Sequence, residues 1–265
     1  MPGTDLPLLT QAAHEAGRIA VSYFKRDHQS WDKPDGAGPV TEADLAVNRM
    51  LEDTLRAARP NYGWLSEESE DSDARLDKSH VFILDPIDGT RSFTEGSSTW
   101  AHSFAVAQDG IVTAAVIYLP MRDLLYCAAA GEGATLNGEP IAVSETEELA
   151  QADILSARPN MGGRHWKAGQ PPGFERSYRP SLAYRLALVA QGRFDGMLTL
   201  RRSWEWDIAA GDLILREAGG GCTDRNGAPL RFNSPSAQVD GVVAGGLAVH
   251  RELTGALIPT AGSAG

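Results

Sequence analysis

The amino-acid sequence predicts a layered protein in which an α+β half precedes an α/β half. Apolar residues near the N-terminus recur at steps of three and four residues, which is typical of an amphipathic helix. The middle of the chain contains short apolar runs separated by Asp-Gly and Asn-Gly pairs, which indicate consecutive β-hairpins. The second half alternates strand-like runs with helical patterns, as expected when helices cover both faces of a sheet.

Residues 1–140 are predicted to form two helices and a large antiparallel sheet. The first helix covers apolar positions between Leu8 and Phe24, and the second begins at Thr41, an N-cap residue. The segment 33–39 between these helices is rich in Pro and Gly, which predicts a mobile loop or a hairpin. The expected strands cover residues 103–108, 111–119, 124–129 and 134–136. The polar segment 139–148 then marks a boundary between the two halves.

Residues 141–265 are predicted to form the α/β half. The strand candidates are residues 154–157, 197–200 and 242–244. Helices are expected to begin at Ser181, near Asp207 and at Leu247, and glycines at position 192 and positions 219–221 end the first two of them. Small residues follow Asp207, which would let its helix pack closely against a neighbour.

Composition and charge restrict the classes of function. The 265 residues are 42% hydrophobic and 22% charged, as in an ordinary globular protein. A formal net charge of -11 repels anionic substrates, so binding of phosphate would require cations, and it disfavours a nucleic acid polymer as partner. The N-terminus lacks the pattern of a signal peptide and no apolar run reaches membrane-spanning length, so we expect a cytoplasmic protein without a membrane partner. Cys127 and Cys222 are expected to be reduced and packed.

The segment from Asp85 to Thr90 predicts a metal site. It follows an apolar run, and its two carboxylates, Asp85 and Asp88, stand three residues apart with the Ile87 carbonyl between them. Such an all-oxygen set suits a hard divalent cation such as Mg²⁺. Gly89 allows close approach of the backbone, and the Thr90 hydroxyl with the neighbouring N–H groups could hold a water or a phosphate oxygen. On this segment alone, an ordinary surface turn is an equal alternative.

Carboxylates in three other segments favour the metal site. Asp44 lies in the first turn of the second helix, where it could also serve only as a capping-box partner. Glu67 follows another apolar run, although paired glutamates such as Glu67 and Glu68 are commonly part of a solvated loop. Asp207 lies at a helix start beside Trp206. His102 is the histidine nearest the metal motif along the chain, and we expect it to pack in the core.

Taken together, these segments resemble the motifs of the inositol monophosphatase superfamily. The segments that carry the resemblance are residues 40–44, 67–69, 85–90 and 206–211, in the order found in the superfamily. The superfamily includes inositol monophosphatases, 3′(2′),5′-bisphosphate nucleotidases and a histidinol-phosphatase branch. The resemblance implies a layered αβαβα sandwich with the metal site in a cleft between its halves. It further implies a Mg²⁺-dependent, lithium-sensitive phosphomonoesterase.

The resemblance implies two or three Mg²⁺ ions. Glu67, Asp85 and the Ile87 carbonyl would hold the first ion, while Asp85, Asp88 and Asp207 would hold the second. Glu67 would also reach a weaker third site. Two ions that share the oxygens of a phosphate can activate a water and stabilise the leaving alkoxide.

The resemblance also assigns the catalytic and phosphate-binding residues. Thr90, hydrogen-bonded to Asp44, would orient and deprotonate the attacking water, so Asp44, Thr90 and Glu67 form the expected catalytic set. Asp88, Gly89, Thr90 and Asp207 would contact the substrate. In the superfamily the loop between the first two helices carries a lysine over the site; Lys33 is the candidate here, and a solvated loop lysine is the alternative.

The expected substrate follows from residues 200–207. Inositol monophosphatases carry a glutamate where this chain has Leu200, whereas Glu205-Trp206-Asp207 is similar to the nucleotidases. Arg201 and Arg202 are predicted to receive a second phosphate, with surface ion pairs as the alternative. The favoured substrate is therefore adenosine 3′(2′),5′-bisphosphate.

Other functions stay open at this point. Inositol 1-phosphate or 4-phosphate is the next substrate, followed by histidinol phosphate or a sugar phosphate. A protein that binds a phosphorylated metabolite without turnover would lack Asp44, Thr90 or a metal carboxylate, and this chain keeps all of them. We expect a small phosphorylated metabolite as partner, and a homodimer is a further expectation.

Overall fold

The computed structural model describes residues 4–24, 30–32 and 39–260. The predicted loop around Lys33 and the last five residues, 261–265, lie mostly or wholly outside this range. The helices are α1 (Leu6–Tyr23), α2 (Glu42–Ala58), α3 (Thr90–Thr94), α4 (Leu182–Ala190), α5 (Glu205–Glu217) and α6 (Leu247–Ala256). The strands are β1 (Ser30–Asp32), β2 (Pro39–Thr41), β3 (Gly63–Ser66), β4 (His80–Asp88), β5 (Ala101–Gln108), β6 (Ile111–Leu119), β7 (Leu124–Ala129), β8 (Ala134–Leu136), β9 (Glu139–Pro140), β10 (Asp153–Ser156), β11 (Glu175–Ser177), β12 (Gly196–Trp204), β13 (Gly221–Thr223) and β14 (Gln238–Gly245).

A seven-stranded sheet, β3-β4-β5-β6-β7-β8-β9, forms the first half. All neighbouring strands are antiparallel except β3 and β4, which are parallel. Asp109 and Gly110 join β5 to β6 with φ values of 50° and 81°, the left-handed conformations that a two-residue hairpin requires. The apolar faces of α1 and α2 pack on one side of this sheet, around Leu9, Leu51 and Phe104. The predicted helix pair and meander are confirmed.

The second half contains a five-stranded sheet in the order β11-β10-β12-β14-β13. Strand β10 runs parallel to both of its neighbours, while β14 is antiparallel to β12 and β13. Helix α6 covers one face of this sheet, where Val249 and Leu253 pack against Leu198 and Val243. Helices α4 and α5 cover the opposite face.

One hydrophobic core joins the two sheets through α4 and α5. It contains Ile117 of β6, Leu186 of α4, Leu213 of α5 and Val242 of β14. A Cβ at Gly211 of α5 would lie 2.4 Å from the Leu186 side chain, so a glycine is needed for the two helices to approach each other. The layers are therefore helix, sheet, helix, sheet and helix, as predicted.

Strand β12 and the boundary between the two halves can both be compared with the predicted extents. Strand β12 continues to Trp204 rather than ending at residue 200, because its polar residues pair with β14 across a bulge between Thr199 and Arg202. The chain passes from one sheet to the other between Pro140 and Asp153. The division into halves 1–140 and 141–265 stays a prediction, since both sheets share the core around α4 and α5.

Two further expectations concern the cysteines and the membrane. Cys127 and Cys222 are both free, as predicted, and burial raises the pKa of each thiol. Within residues 4–24, 30–32 and 39–260, none of the helices combines the length and apolar character needed to cross a membrane.

Candidate metal and phosphate site

The predicted metal motif lies at the end of β4. Asp85 is opposite Ser103 and Asp88 is opposite Ala101, so β4 contains one extra residue relative to β5 at this point. The predicted tight turn is thus a β-bulge, which redirects side chains at the end of a strand. The Ile87 N–H donates to Asp85 Oδ1 at 2.9 Å and stabilises the bulge.

Three carboxylates meet beside this bulge. Oxygens of Asp85, Asp88 and Asp207 lie within 4.8 Å of one another. Asp85 and Asp88 are buried, and Asp207 is half-buried in the first turn of α5. The structure therefore brings residues from both halves of the chain to one place, as the motifs predicted.

The electrostatics of this cluster suit a bound cation. Burial raises the pKa of Asp85 well above its usual range, and the charges of Glu67, Asp88 and Asp207 raise it further. Burial also raises the pKa of Asp88 to about 6, although two hydrogen bonds oppose the shift. Close carboxylates that are costly to ionise, with oxygens as their only donor atoms, fit a hard divalent cation such as Mg²⁺.

Glu67 lies next to the same cluster. It follows β3 directly, and its N–H donates to the Leu84 carbonyl of the neighbouring β4 at 3.1 Å. Its half-buried side chain acts on Asp85, whose pKa it raises. The parallel pairing of β3 with β4 therefore places Glu67 beside the metal motif instead of in a solvated loop.

Asp44 contacts both Thr41 at the helix start and Thr90 in the metal motif. Its Oδ2 accepts hydrogen bonds from the Thr41 N–H at 2.8 Å and from the Thr41 hydroxyl, and the Asp44 N–H donates to Thr41 Oγ1, which completes the capping box of α2. Its Oδ1 lies 3.4 Å from the Thr90 hydroxyl, which also lies 3.1 Å from the Ile87 carbonyl. A single hydroxyl proton can serve only one of these acceptors at a time.

A contact that sequence reasoning missed connects Asp88 to α4. Asp88 Oδ2 accepts hydrogen bonds from the Ser181 hydroxyl and from the Ala183 N–H, each at 2.7 Å. Ser181, the N-cap of α4, has a φ of 64°, a left-handed conformation unusual for serine. The serine before an apolar helix indicated only a cap, because the partner lies more than ninety residues away in sequence.

A cleft of about 750 Å³ opens beside the carboxylates. Asp88, Gly89 and Asp207 line it, and so do Arg91, Arg185 and Arg201. Thr90 lies next to the lining residues and is buried. Gly89 has a φ of 95°, consistent with the predicted need for glycine at this position.

The structure brings only one of the three predicted specificity residues to the cleft. Arg201 lines the cleft, but Leu200 is 5% exposed and packs in the core beneath α6. The Arg202 guanidinium donates to Ser236 Oγ at 3.1 Å, and Arg202 is absent from the lining. Successive side chains of a strand point to opposite faces, so Arg202 does not share the cleft with Arg201, and its predicted contact with a second phosphate has no support in the cleft lining.

Two other expectations about residues near the site can be compared with the structure. His102 is fully buried and stacks on Phe104, which confirms its role in core packing. Glu205 is also fully buried, and its carboxylate accepts hydrogen bonds from Asn233 and Ser234. Glu205, the first residue of the segment that is similar to the nucleotidases, thus does not line the cleft.

Arg185 also lines the cleft, although it was not predicted from the sequence. It lies in α4, whose other residues are apolar or aromatic, and it is only 6% exposed. A single charged residue within an apolar helix is a signal that could have identified it, since arginines are rarely buried without a partner.

The site can now be compared with known proteins. A sequence profile described as the inositol monophosphatase family matches residues 5–264. The chain belongs to the inositol monophosphatase family. The inositol-1-monophosphatase of Rhizobium meliloti (strain 1021) is 36% identical over 246 residues, which cover 86% of this chain and 89% of the relative. The Nus factor SuhB of Escherichia coli (strain K12) is 32% identical over 234 residues, which cover 84% and 85%.

A solved structure agrees with the assignment to the inositol monophosphatase family. The inositol monophosphatase of Thermotoga maritima superposes with a TM-score of 0.82 at 27% identity, over 95% of this chain and 96% of the other. The predicted layered fold is thereby confirmed. Members of the family are Mg²⁺-dependent phosphatases, so this chain is a phosphatase that uses Mg²⁺.

Proposed function

We propose that this protein hydrolyses inositol 1-phosphate to inositol and inorganic phosphate in a Mg²⁺-dependent reaction. The observation that supports a phosphomonoesterase is the buried cluster of Asp85, Asp88 and Asp207 beside a cleft large enough for a small metabolite. The choice of inositol phosphate rests on the relatives named inositol-1-monophosphatase.

The carboxylates are proposed to hold two Mg²⁺ ions. Glu67, Asp85 and the Ile87 carbonyl would form one site, and Asp85, Asp88 and Asp207 would form the other, with Glu67 also near a weaker third site. When bound, the ions would offset the carboxylate charge, polarise the phosphoryl group and lower the pKa of a bound water. The hydrogen bonds from Ser181 and Ala183 would keep Asp88 in one orientation during turnover.

Thr90 and Asp44 are proposed to handle the proton of the attacking water. The Thr90 hydroxyl would accept a proton from water as it passes its own proton to Asp44 Oδ1, which lies 3.4 Å away. The capping box fixes the Asp44 carboxylate through its other oxygen, so the acceptor is oriented before substrate arrives. Asp88, Gly89 and Asp207 line the cleft and would contact the phosphate, together with the neighbouring Thr90.

Inositol 1-phosphate replaces the bisphosphate nucleotide, which the sequence favoured, as the first candidate substrate. Leu200 packs away from the cleft, so its difference from the inositol enzymes removes no contact with substrate. Glu205 acts within the protein interior, so its similarity to the nucleotidases says little about substrate. The nucleotidase stays as the second candidate because Arg201 lines the cleft, where it could bind a second phosphate.

A substrate panel tests the proposal. We would measure kcat/KM at saturating Mg²⁺ with inositol 1-phosphate, adenosine 3′,5′-bisphosphate, histidinol phosphate and fructose 1,6-bisphosphate. We expect inositol 1-phosphate to give the highest value and lithium to inhibit the reaction. Asp207→Asn is the control for contaminating phosphatase, since it should remove the activity. A higher kcat/KM with any other member of the panel would contradict the proposal.

A further inference from the structure

Arg185 and Arg201 face the cleft, and neither forms an ion pair within the described part of the chain. Arg185 and Arg201 both line it, and no carboxylate of the described residues lies within ion-pair distance of either guanidinium. This is unusual in a chain with a formal net charge of -11, where acids outnumber bases. Arg185 and Arg201 therefore add positive potential to a cleft that Asp88, Glu95 and Asp207 also line.

Two contacts orient the buried guanidinium of Arg185. Its Nε donates a hydrogen bond to the Arg179 carbonyl at 2.5 Å, and its guanidinium lies 4.5 Å from the centroid of the Tyr178 ring. Tyr178 also lines the cleft. These contacts orient the planar group of Arg185 at the wall of the cleft before any ligand arrives.

The burial of Arg185 is costly in the absence of a ligand. Burial lowers the pKa of the Arg185 guanidinium and the charge of Arg201 lowers it further, whereas Tyr178 and Asp88 raise it. Asp88 belongs to the proposed metal site, so its charge is already shared with a cation in the active protein. An arginine that carries this cost at a cleft wall is better explained by an anionic ligand than by packing.

We propose that Arg185 and Arg201 form a second anion subsite. It would bind a phosphate or carboxylate group that the substrate carries in addition to the phosphate that is cleaved. The proposal deepens the proposed function and rests on it for the position of the cleaved phosphate at the carboxylate cluster. Among inositol phosphates, those with a second anionic group should then be hydrolysed with a higher kcat/KM than inositol 1-phosphate, because a guanidinium pair can bind such a group through charge-assisted hydrogen bonds.

The decisive experiment compares substrates that differ only in the second group. Wild-type enzyme and Arg201→Gln would be assayed with inositol 1-phosphate and inositol 1,4-bisphosphate. Arg201 is exposed, so its replacement should leave the fold intact. We expect Arg201→Gln to lower kcat/KM by about tenfold to a hundredfold for the bisphosphate and less than about twofold for the monophosphate.

Arg202→Gln is the matched control. The two arginines are adjacent on β12 and both exposed, but Arg202 bonds to Ser236 outside the cleft. Its replacement removes the same charge from the chain, and it should change kcat/KM by less than about twofold for both substrates. A loss in Arg202→Gln equal to that in Arg201→Gln would mean that overall charge causes the effect, and would overturn the subsite.

Arg185 is tested with a pair of variants. Arg185→Gln should reduce the preference for the bisphosphate, while Arg185→Lys should retain part of it because the charge stays. A thermal melt would check folding, and if Arg185→Gln does not fold, Arg201→Gln decides alone. Glycerol 3-phosphate and 3-phosphoglycerate differ in that only the second carries a carboxylate. A higher kcat/KM for 3-phosphoglycerate that is lost in Arg201→Gln would show that the subsite also binds a carboxylate.

The outcomes separate the subsite from the proposed function. Equal losses of Arg201→Gln on both inositol substrates, or no loss on either, would overturn the subsite. If the wild-type enzyme hydrolyses neither inositol substrate, the proposed function fails. The ratio of kcat/KM for the bisphosphate to kcat/KM for the monophosphate is then measured with adenosine 3′,5′-bisphosphate and adenosine 3′-phosphate. If Arg201→Gln leaves this ratio unchanged, the subsite is overturned as well.

Discussion

At the residue scale, the two carboxylate oxygens of Asp44 have different partners. One carboxylate oxygen caps α2 through Thr41, and the other lies within hydrogen-bond distance of the Thr90 hydroxyl. The alternatives that the sequence left open, a capping residue or a catalytic residue, are therefore compatible. Loss of the Asp44 carboxylate would affect the stability of α2 as well as activity, so Thr90 is the cleaner position at which to test the proton relay.

Replacement of Thr90 by alanine should slow the chemical step. The variant keeps the backbone and removes only the hydroxyl and a methyl group, so we expect kcat to fall by about 10² with KM little changed. Steady-state kinetics at saturating Mg²⁺ measures this effect. Thr90→Ser retains the hydroxyl and should retain most of the activity. A wild-type kcat in Thr90→Ala would leave Thr90 with only a structural role.

His102 should make the stability of the protein depend on pH. Burial lowers its pKa to about 4, partly opposed by the hydrogen bond between its Nδ1 and the Pro86 carbonyl. Its Nε2 has no hydrogen-bond partner among the described residues. Between pH 6.5 and pH 4 the unfolded chain binds a proton that the folded protein excludes, so stability falls as the pH falls through this window.

The contribution of His102 can be measured by difference. Between pH 7 and pH 4.5 it should lower the free energy of unfolding by about 2 to 3 kcal/mol. His102→Asn retains an amide donor for the Pro86 carbonyl but does not titrate, so its free energy of unfolding should lack this component. Denaturant unfolding of wild type and His102→Asn in EDTA at both pH values provides the comparison. The two proteins share all carboxylates, so the pH dependence that these groups cause cancels in the difference. Equal pH dependence of the two proteins would show that His102 is not the titrating group.

At the scale of elements, the start of α5 is anchored from two sides. The Glu205 carboxylate accepts hydrogen bonds from the Asn233 N–H, the Ser234 N–H and the Ser234 hydroxyl, at 2.6 to 2.9 Å. The Ser103 hydroxyl of β5 donates to the Trp206 carbonyl at 2.9 Å. These contacts fix the helix turn that carries Asp207, so they hold one side of the candidate metal site in place.

Replacement of Glu205 should therefore affect stability and metal binding together. Glu205→Ala leaves half-buried donors of Asn233 and Ser234 without their acceptor and should lower the free energy of unfolding by roughly 2 kcal/mol. The Mg²⁺ concentration needed for half-maximal activity should rise, because Asp207 loses its fixed position. Glu205→Gln keeps one acceptor oxygen and should have a smaller effect on both. A lower melting temperature with unchanged Mg²⁺ dependence would limit Glu205 to a structural role.

At the scale of the whole molecule, we expect the acidic charge to make both stability and activity depend on cations. The carboxylate cluster is buried at the junction of the two halves, within a chain whose formal net charge is -11. Repulsion in the cluster opposes folding until cations are bound. Cation binding should thus stabilise the native state as well as permit turnover.

Removal of Mg²⁺ should abolish turnover and lower the melting temperature. At a free Mg²⁺ concentration about a hundred times its dissociation constant, stabilisation should be about 3 kcal/mol, or roughly 5 to 10 °C. Activity assays and thermal melts, before and after treatment with EDTA, measure both effects. In Asp207→Asn, Mg²⁺ should raise the melting temperature by less than in the wild-type protein. Full turnover after verified removal of divalent metal would contradict a metal-dependent mechanism.

The sequence by itself determined the fold class and the family, and it predicted the residues at the centre of the candidate site. Helical periodicity, hairpin turns and N-caps are local properties, so α1, α2 and the meander were predictable with small errors at their ends. Asp85, Ile87 and Asp88 stay adjacent whatever the rest of the chain does. Asp44, Glu67 and Asp207 were identified through motifs in a fixed order, and the structure brings them around that segment.

Only the tertiary structure decided which side chains share the cleft. Side chains alternate between the two faces of β12, so Arg201 lines the cleft while Leu200 and Arg202 do not. Arg185 reaches the same cleft, and Ser181 reaches Asp88, because α4 packs between the two sheets. These positions depend on strand register and on contacts between distant segments. Spacing along the sequence carries no direct information about either, which is why substrate preference could not be determined from the motifs that identified the family.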